Sequence, residues 1–237
     1  MTVIRLNKYL SQSGHCSRRA ADELIQKKKV LINGIPSSEL GIKIDPEKDE
    51  IRIKQGPIIT RPKTALLLML NKPKGYVCTK SDVHADKLVY ELLPAQYQSL
   101  FSIGRLDKDS EGLLLFTNDG ELANSMAHPR AKKEKIYQAT IKGRLRESDI
   151  RKISTGLRMM EYKALPARAR ELSYDAEKQR SVVEVALTEG KKRQVREMFL
   201  ALKHPVKKLI RISFGPYRLG NLELGQWRLV KIVEEKI

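Results

Sequence analysis

Three stretches of this sequence carry side chains that could do chemistry. The first is Gly104-Arg105-Leu106-Asp107-Lys108-Asp109-Ser110-Glu111-Gly112, a charged loop lodged between two apolar runs. A loop leaving a buried strand can hold a carboxylate at a fixed point over a sheet, which suits a nucleophile or a general base. The same composition also suits a hairpin turn with solvated charges. Asp107, Asp109, Glu111 and Gly112 imitate the opening of a calcium loop, but the twelfth position is Asn118 where a bidentate Glu is needed, and the flanks read as strands.

The second stretch is Glu189-Gly190-Lys191-Lys192-Arg193-Gln194-Val195-Arg196-Glu197-Met198-Phe199, where an apolar strand ends at a glycine and a helix begins. Arg193 and Arg196 are three apart and share a face, so they could hold phosphate, or one could pair with a carboxylate. Lys191 and Lys192 read as flexible, solvated point charges, whereas Arg196 sits beside the apolar stripe of Val195, Met198 and Phe199 and needs a partner there. No Gly-x-x-x-x-Gly-Lys-[Ser/Thr] phosphate loop surrounds Gly190, so nucleoside triphosphate binding is not indicated. The third stretch is Lys135-Ile136-Tyr137-Gln138-Ala139, in which Tyr137 shares a strand face with Ala139 and Ile141 and is either core or a platform for a base. The four histidines lie in no recognisable nucleophile motif.

The elements that must position these residues follow from periodicity. Leu6, Tyr9 and Leu10 recur at helical spacing within 4–13, and Ser17 can cap a second helix whose apolar stripe is Ala20, Ala21, Leu24 and Ile25. Asn33-Gly34 predicts a tight hairpin after Val30-Leu31-Ile32, and a further strand is expected at 51–54. Gly56-Pro57 and Arg61-Pro62 bracket an expected linker at 59–64, dividing the chain into 1–58 and 65–237. In the larger part, strands are expected at 65–70, 76–79, 101–103, 113–117, 135–142, 167–172, 182–188 and 209–214, with helices at 87–93, 121–127, 147–154 and 193–203. Strands outnumber helices and connections are short, which predicts an α+β fold with a mixed or antiparallel sheet.

Composition narrows the partners. Among 237 residues, 46 Lys plus Arg stand against 28 Asp plus Glu, a net charge of +18. Arg5, Lys8, Arg18, Arg19, Lys27, Lys28 and Lys29 face only Asp22 and Glu23 in the first 33 residues, and in a second cluster, from Glu189 to Arg211, eight basic residues meet two acidic ones. No basic amphipathic helix of the membrane-surface kind accompanies them, which favours nucleic acid over lipid. The longest apolar run, 65–70, is far short of a bilayer span, and 1–10 lacks a secretory signal, so a cytoplasmic protein is expected. Cys16 and Cys78 form no CxxC and suggest neither a disulfide framework nor a zinc site; no metal or cofactor is expected.

Arg5-Leu6-Asn7-Lys8-Tyr9-Leu10, Cys16-Ser17-Arg18-Arg19-Ala20-Ala21 and Val30-Leu31-Ile32-Asn33-Gly34 resemble an S4-type RNA-binding domain. Asn71-Lys72-Pro73-Lys74-Gly75, the 104–113 loop, Lys135-Ile136-Tyr137 and Gly190-Lys191-Lys192-Arg193-Gln194-Val195-Arg196 occur in the order of the RsuA and RluB family of ribosomal RNA pseudouridine synthases. The resemblance implies that Asp107 is the catalytic aspartate, that Tyr137 stacks on the target uracil, that Arg196 pairs with Asp107, and that Arg105 helps displace the nucleotide. Arg5, Lys8, Arg18, Arg19, Lys28, Lys29, Lys72, Lys192 and Arg193 are the expected RNA contacts. Lys108 and Glu111 occupy positions that vary among relatives, and Lys191-Lys192 stands where Gly-Arg-Asn is commoner. The ending, 211–228, looks more like the large-subunit branch, which makes 23S rRNA the expected substrate; a monomer is the default expectation. The competing readings are a 16S rRNA synthase, an S4-type domain joined to a methyltransferase, for which no Gly-rich cofactor loop is found, and a non-catalytic ribosome-associated RNA binder.

Overall fold

The computed structural model describes residues 3–60 and 64–233, so part of the expected linker, 61–63, lies outside the described residues. The chain forms two compact units: one of Met1–Leu66 with Ala95–Phe101 and Thr117–Gly120, the other of Leu67–Pro94, Ser102–Phe116 and Glu121–Ile237.

The first unit contains β1 (Ile4–Arg5), α1 (Leu6–Gln12), α2 (Arg18–Gln26), β2 (Val30–Ile32), β3 (Ile35–Ser37), β4 (Lys43–Ile44) and β5 (Ile51–Ile53). Ser17 caps α2 as expected, its hydroxyl accepting from the Ala20 N–H at 3.2 Å. The Asn33-Gly34 turn closes the β2–β3 hairpin with φ of 51° and 81°, the left-handed pair that a tight hairpin demands. Asn33 also ties the turn down, accepting from Glu50 N–H at 2.8 Å and donating to Asp49 at 2.9 Å. Leu6, Leu10, Ala21, Ile25, Val30, Ile44 and Ile51 are buried together, which leaves the basic residues of α2 on the outside.

The second unit is built on one long mixed sheet. Its strands are β6 (Leu67–Lys72), β7 (Phe101–Ile103), β8 (Glu111–Thr117), β9 (Lys135–Lys142), β10 (Arg168–Asp175), β11 (Arg180–Leu187), β12 (Val206–Phe214), β13 (Tyr217–Arg218) and β14 (Trp227–Leu229). The order is β10-β11-β9-β12-β8-β6-β14, with β7 on β8 and β13 on β12. Pairing is antiparallel from β10 to β12 and between β6 and β14, and parallel between β12 and β8. The helices are α3 (Gly120–Ala127), α4 (Glu147–Ser154) and α5 (Gln194–Ala201). Val195, Met198 and Phe199 of α5 bury against Ala139 and Ile141 of β9 and Val183 and Val185 of β11, as the apolar stripe requires.

Two expected elements take another form. The helix expected at 87–93 is a single 3-10 turn, Val89–Leu92, because Pro94 holds Leu93 in an extended conformation (φ −99°, ψ 141°). The strand expected at 76–79 is reduced to an isolated bridge between Val77 and Leu88. One glycine is dictated by packing: Gly112 has φ +103°, and a Cβ there would lie 2.3 Å from the Arg211 carbonyl oxygen and 2.7 Å from its nitrogen. Gly112→Ala is therefore expected to destabilise the protein by about 2 kcal/mol or more, read as a lower urea midpoint at unchanged slope. An unchanged midpoint would mean that β8 and β12 can separate freely at this point.

Candidate active site

The loop between β7 and β8 carries Asp107, and its backbone is held from several sides. Ser110 N–H donates to the Asp107 carbonyl at 3.1 Å, Gly75 N–H to the Lys108 carbonyl at 2.7 Å, and Leu106 N–H to the Cys78 sulfur at 3.4 Å. Beneath the loop, Lys72 is wholly buried at the end of β6. Its ammonium donates to the carbonyls of Ser110 at 2.8 Å, Pro73 at 3.0 Å and Asp107 at 3.2 Å. Burial pushes the Lys72 pKa below the ordinary lysine value, against the opposing pull of charges that include Asp107, Asp109 and Glu111. The expected contact of Lys72 with RNA is corrected by the structure, since all three of its donors are engaged inside the protein and its side chain does not reach solvent.

The expected pairing of Arg196 with Asp107 is also corrected, because the carboxylate it meets is Asp109, which it shares with the partly exposed Arg193. Arg193 donates from both terminal nitrogens to the two Asp109 oxygens, each at 3.0 Å. The Nε of Arg196 lies 3.2 Å from Asp109 Oδ2, a charge contact without an aligned hydrogen bond. Its Nη2 donates to the Asp109 carbonyl at 2.8 Å and its Nη1 to the Val206 carbonyl at 3.2 Å. Burial alone would raise the Asp109 pKa, but the hydrogen bond from Arg193 and the charges of Arg196 and Arg193 outweigh it and hold the carboxyl below its usual range. The physical reason for the substitution of one aspartate for its neighbour is local. The two arginines bracket the start of α5 and reach the far end of the 104–110 loop, so they fix the loop two residues beyond Asp107.

Asp107 itself is half-buried, and among the described residues its carboxylate lies in no ion pair. It opens on a cavity of about 720 Å³ that is also lined by Arg105, Lys135, Tyr137, Lys192 and Arg211. Arg105 and Lys192 are exposed at this cavity, while Lys191 is held 3.4 Å from the centroid of the Tyr162 ring. Tyr137 answers to both readings of its strand face, since it packs against the cluster containing Ala139 and Ile141 and also lines the cavity. The start of α5 is braced by Gln194, which accepts from Lys191 N–H at 3.0 Å and is hydrogen-bonded to Glu189.

In the first unit, Arg5, Arg18, Arg19 and Lys28 are exposed, and Lys8 and Lys29 are half-buried. Arg18 reaches the Asn7 side-chain oxygen at 3.3 Å.

Two cations of the cavity, Arg211 and Lys135, are not among the expected site residues. Arg211 is only 2% exposed, donates from Nε to the Leu113 carbonyl at 2.8 Å, and lies directly opposite Tyr137 across β12 and β9. Lys135 begins β9, opposite Phe214. The available signal was an arginine inside the apolar run Leu209-Ile210-Arg211-Ile212, where a guanidinium is costly without a partner. An unpaired carboxylate facing a cavity ringed by cations, with an aromatic ring on its wall, can supply a base or nucleophile to a flat, polar ring attached to phosphates.

Comparison with known proteins agrees with this chemistry. The family model described as RNA pseudouridylate synthase matches residues 66–201, and the S4 domain model matches residues 4–51. The chain is 40% identical over 224 residues to the ribosomal large subunit pseudouridine synthase B of Bacillus subtilis, covering 94% of this chain and 91% of that protein. It is 37% identical over 230 residues to an uncharacterized RNA pseudouridine synthase of Aquifex aeolicus, covering 96% and 90%. A crystal structure of a pseudouridylate synthase superposes with a TM-score of 0.68 at 29% identity, covering 96% of each chain.

Proposed function

Because the chain belongs to the RNA pseudouridylate synthase family, we propose that it isomerises a uridine of 23S ribosomal RNA to pseudouridine, with Asp107 as the catalytic carboxylate. The observation that carries this reading is Asp107 itself, a carboxylate left out of ion pairs among the described residues while its loop neighbours Asp109 and Glu111 meet Arg193 and Lys208, at the wall of a cavity that Tyr137 also lines. The large-subunit substrate is supported by the 40% identity to a protein named for that subunit.

In this reaction the bond from ribose to the base nitrogen breaks, the uracil turns, and a ring carbon bonds to the same sugar carbon. Atoms and electrons balance within one nucleotide, so Asp107 has only to act as base or nucleophile and be regenerated. The nucleotide must leave its stack to reach a carboxylate at a cavity wall. In this reading Tyr137 offers the extruded uracil a face to stack on, and Arg105, exposed at the same cavity, fills the space the base vacates. Arg193 and Arg196 act through Asp109, which positions the loop that carries Asp107. Residues 1–58, with the basic outer face of α2, dock the RNA, and residues 65–237 perform the chemistry in the cytoplasm as a monomer.

The test is to incubate the protein with rRNA from a strain lacking it and to map pseudouridine chemically. One new site in 23S rRNA is expected; a site in 16S rRNA would move the substrate to the small subunit, and no site in either would leave an RNA binder. The stacking role has its own test. Tyr137→Phe keeps the ring and is expected to retain turnover within about threefold, whereas Tyr137→Leu should lose about 10-fold or more, from a stacking contribution of about 1–3 kcal/mol. Equal turnover in both variants would reduce Tyr137 to core packing.

A further inference from the structure

Lys135 and Arg211 share one aromatic ring. The Lys135 ammonium lies 5.1 Å and the Arg211 guanidinium carbon 5.0 Å from the centroid of Phe214. Strand geometry explains how four residues of different spacing come to one face. Tyr137 and Lys135 are two apart on β9 and point the same way, and their partners on β12 are Arg211 and Phe214. These partners are three apart, because the register shifts between Arg211 and Ser213; the extra residue restores the alternation and turns both side chains toward the cavity they line.

The two cations are not balanced by the protein. Among the described residues, neither has a carboxylate partner within ion-pair distance: Lys135 donates only to the Lys133 carbonyl at 3.2 Å, and Arg211 only to the Leu113 carbonyl. The Nη2 of Arg211 is buried with no acceptor at all. Repulsion from Arg211 adds to burial in pulling the Lys135 pKa below the ordinary lysine value. A buried, incompletely bonded guanidinium next to a second cation is a costly arrangement for a free protein and is relieved by an incoming anion. A uracil carbonyl is neutral and would leave the like charges opposed. A phosphate can accept from both and match their charge.

The geometry points to Lys135 and Arg211 as a phosphate subsite that grips the backbone of the extruded nucleotide beside the Tyr137 ring, an inference that rests on the pseudouridine synthase reading. Gly112 belongs to the same device, since it lets β8 approach the Arg211 backbone and so links the strand behind the Asp107 loop to the subsite.

The experiment uses an rRNA fragment containing the mapped uridine, with a neutral methylphosphonate in place of the phosphate on either its 5′ or its 3′ side. Binding is measured for the wild-type protein, Lys135→Met and Lys135→Arg, each first shown to melt at the wild-type temperature. For the wild type, one of the two replacements is expected to weaken binding about 10-fold. Lys135→Met should bind the native fragment more weakly and lose clearly less than the wild type on that replacement, Arg211 being left, and Lys135→Arg should restore both the affinity and the sensitivity. Wild-type indifference to both replacements, or an equal loss in wild type and Lys135→Met, would overturn the subsite while conversion of the native fragment still upheld the enzyme. Failure of the wild type to convert any rRNA would remove the reading and the subsite together.

Discussion

Asp107→Asn is expected to abolish pseudouridine formation, with a fall of about 10⁴-fold or more in turnover, while leaving the fold and RNA binding intact. The size of the effect follows from what an amide cannot do: it has no ionised oxygen to act as nucleophile or base, so the chemical step loses its reacting group rather than a supporting contact. The selectivity follows from the surroundings. Asp107 lies in no ion pair among the described residues, so the amide breaks no charge contact, and unfolding stability should stay within about 0.5 kcal/mol of wild type. Asp109→Asn is the contrasting variant. It removes the charge that both Arg193 and Arg196 address and is expected to loosen the loop, lowering stability and turnover together.

Lys72→Met separates a structural cation from an RNA-binding one. Methionine keeps an unbranched apolar stem but leaves the carbonyls of Pro73, Asp107 and Ser110 without their shared donor. The Asp107 carbonyl keeps the Ser110 N–H, but the loss of the charge-assisted network on the three carbonyls costs about 3 kcal/mol, so urea unfolding should shift by about that amount. Turnover should fall as well, because the Asp107 carbonyl is one of the three released groups and its side chain rides on the same backbone. Affinity for RNA and its salt dependence should not change, since Lys72 does not reach solvent. A lysine that gripped phosphate would behave oppositely, with unchanged stability and a salt slope reduced by about one.

These two variants mark where the sequence was legible and where it was not. The Asn33-Gly34 hairpin, the Ser17 cap and the apolar stripe of α5 appear where periodicity and turn chemistry put them, because each depends on residues adjacent in the chain. The loop carrying Asp107 was recognisable for the same reason, as a charged insertion between buried strands. Partnerships across the sheet were not. Lys72 and the loop it supports are 35 to 38 positions apart, and Arg193 and Arg196 reach 84 and 87 positions back to Asp109. Two aspartates separated by a single lysine offer the same chemistry on paper, and only the path of the loop decides which one meets the arginines. Arg211 stayed hidden because its neighbours in space, Phe214, Lys135 and Tyr137, are gathered by a strand bulge that leaves no mark in the residue types. The short strand β14 and the reduction of 87–93 to one turn are likewise consequences of tertiary pairing and of Pro94, set against local propensity.

The carboxylate and the isomerisation can be tested together by tritium release. When the ring carbon that bears hydrogen at position 5 of uracil bonds to the sugar, that hydrogen is lost to water, so 23S rRNA labelled there reports each turnover. Wild-type protein is expected to release tritium up to one equivalent per target uridine, and Asp107→Asn, folded and binding the same RNA with the same affinity, to release none above background. Release by Asp107→Asn at the wild-type rate would contradict the assignment of Asp107 as the catalytic residue.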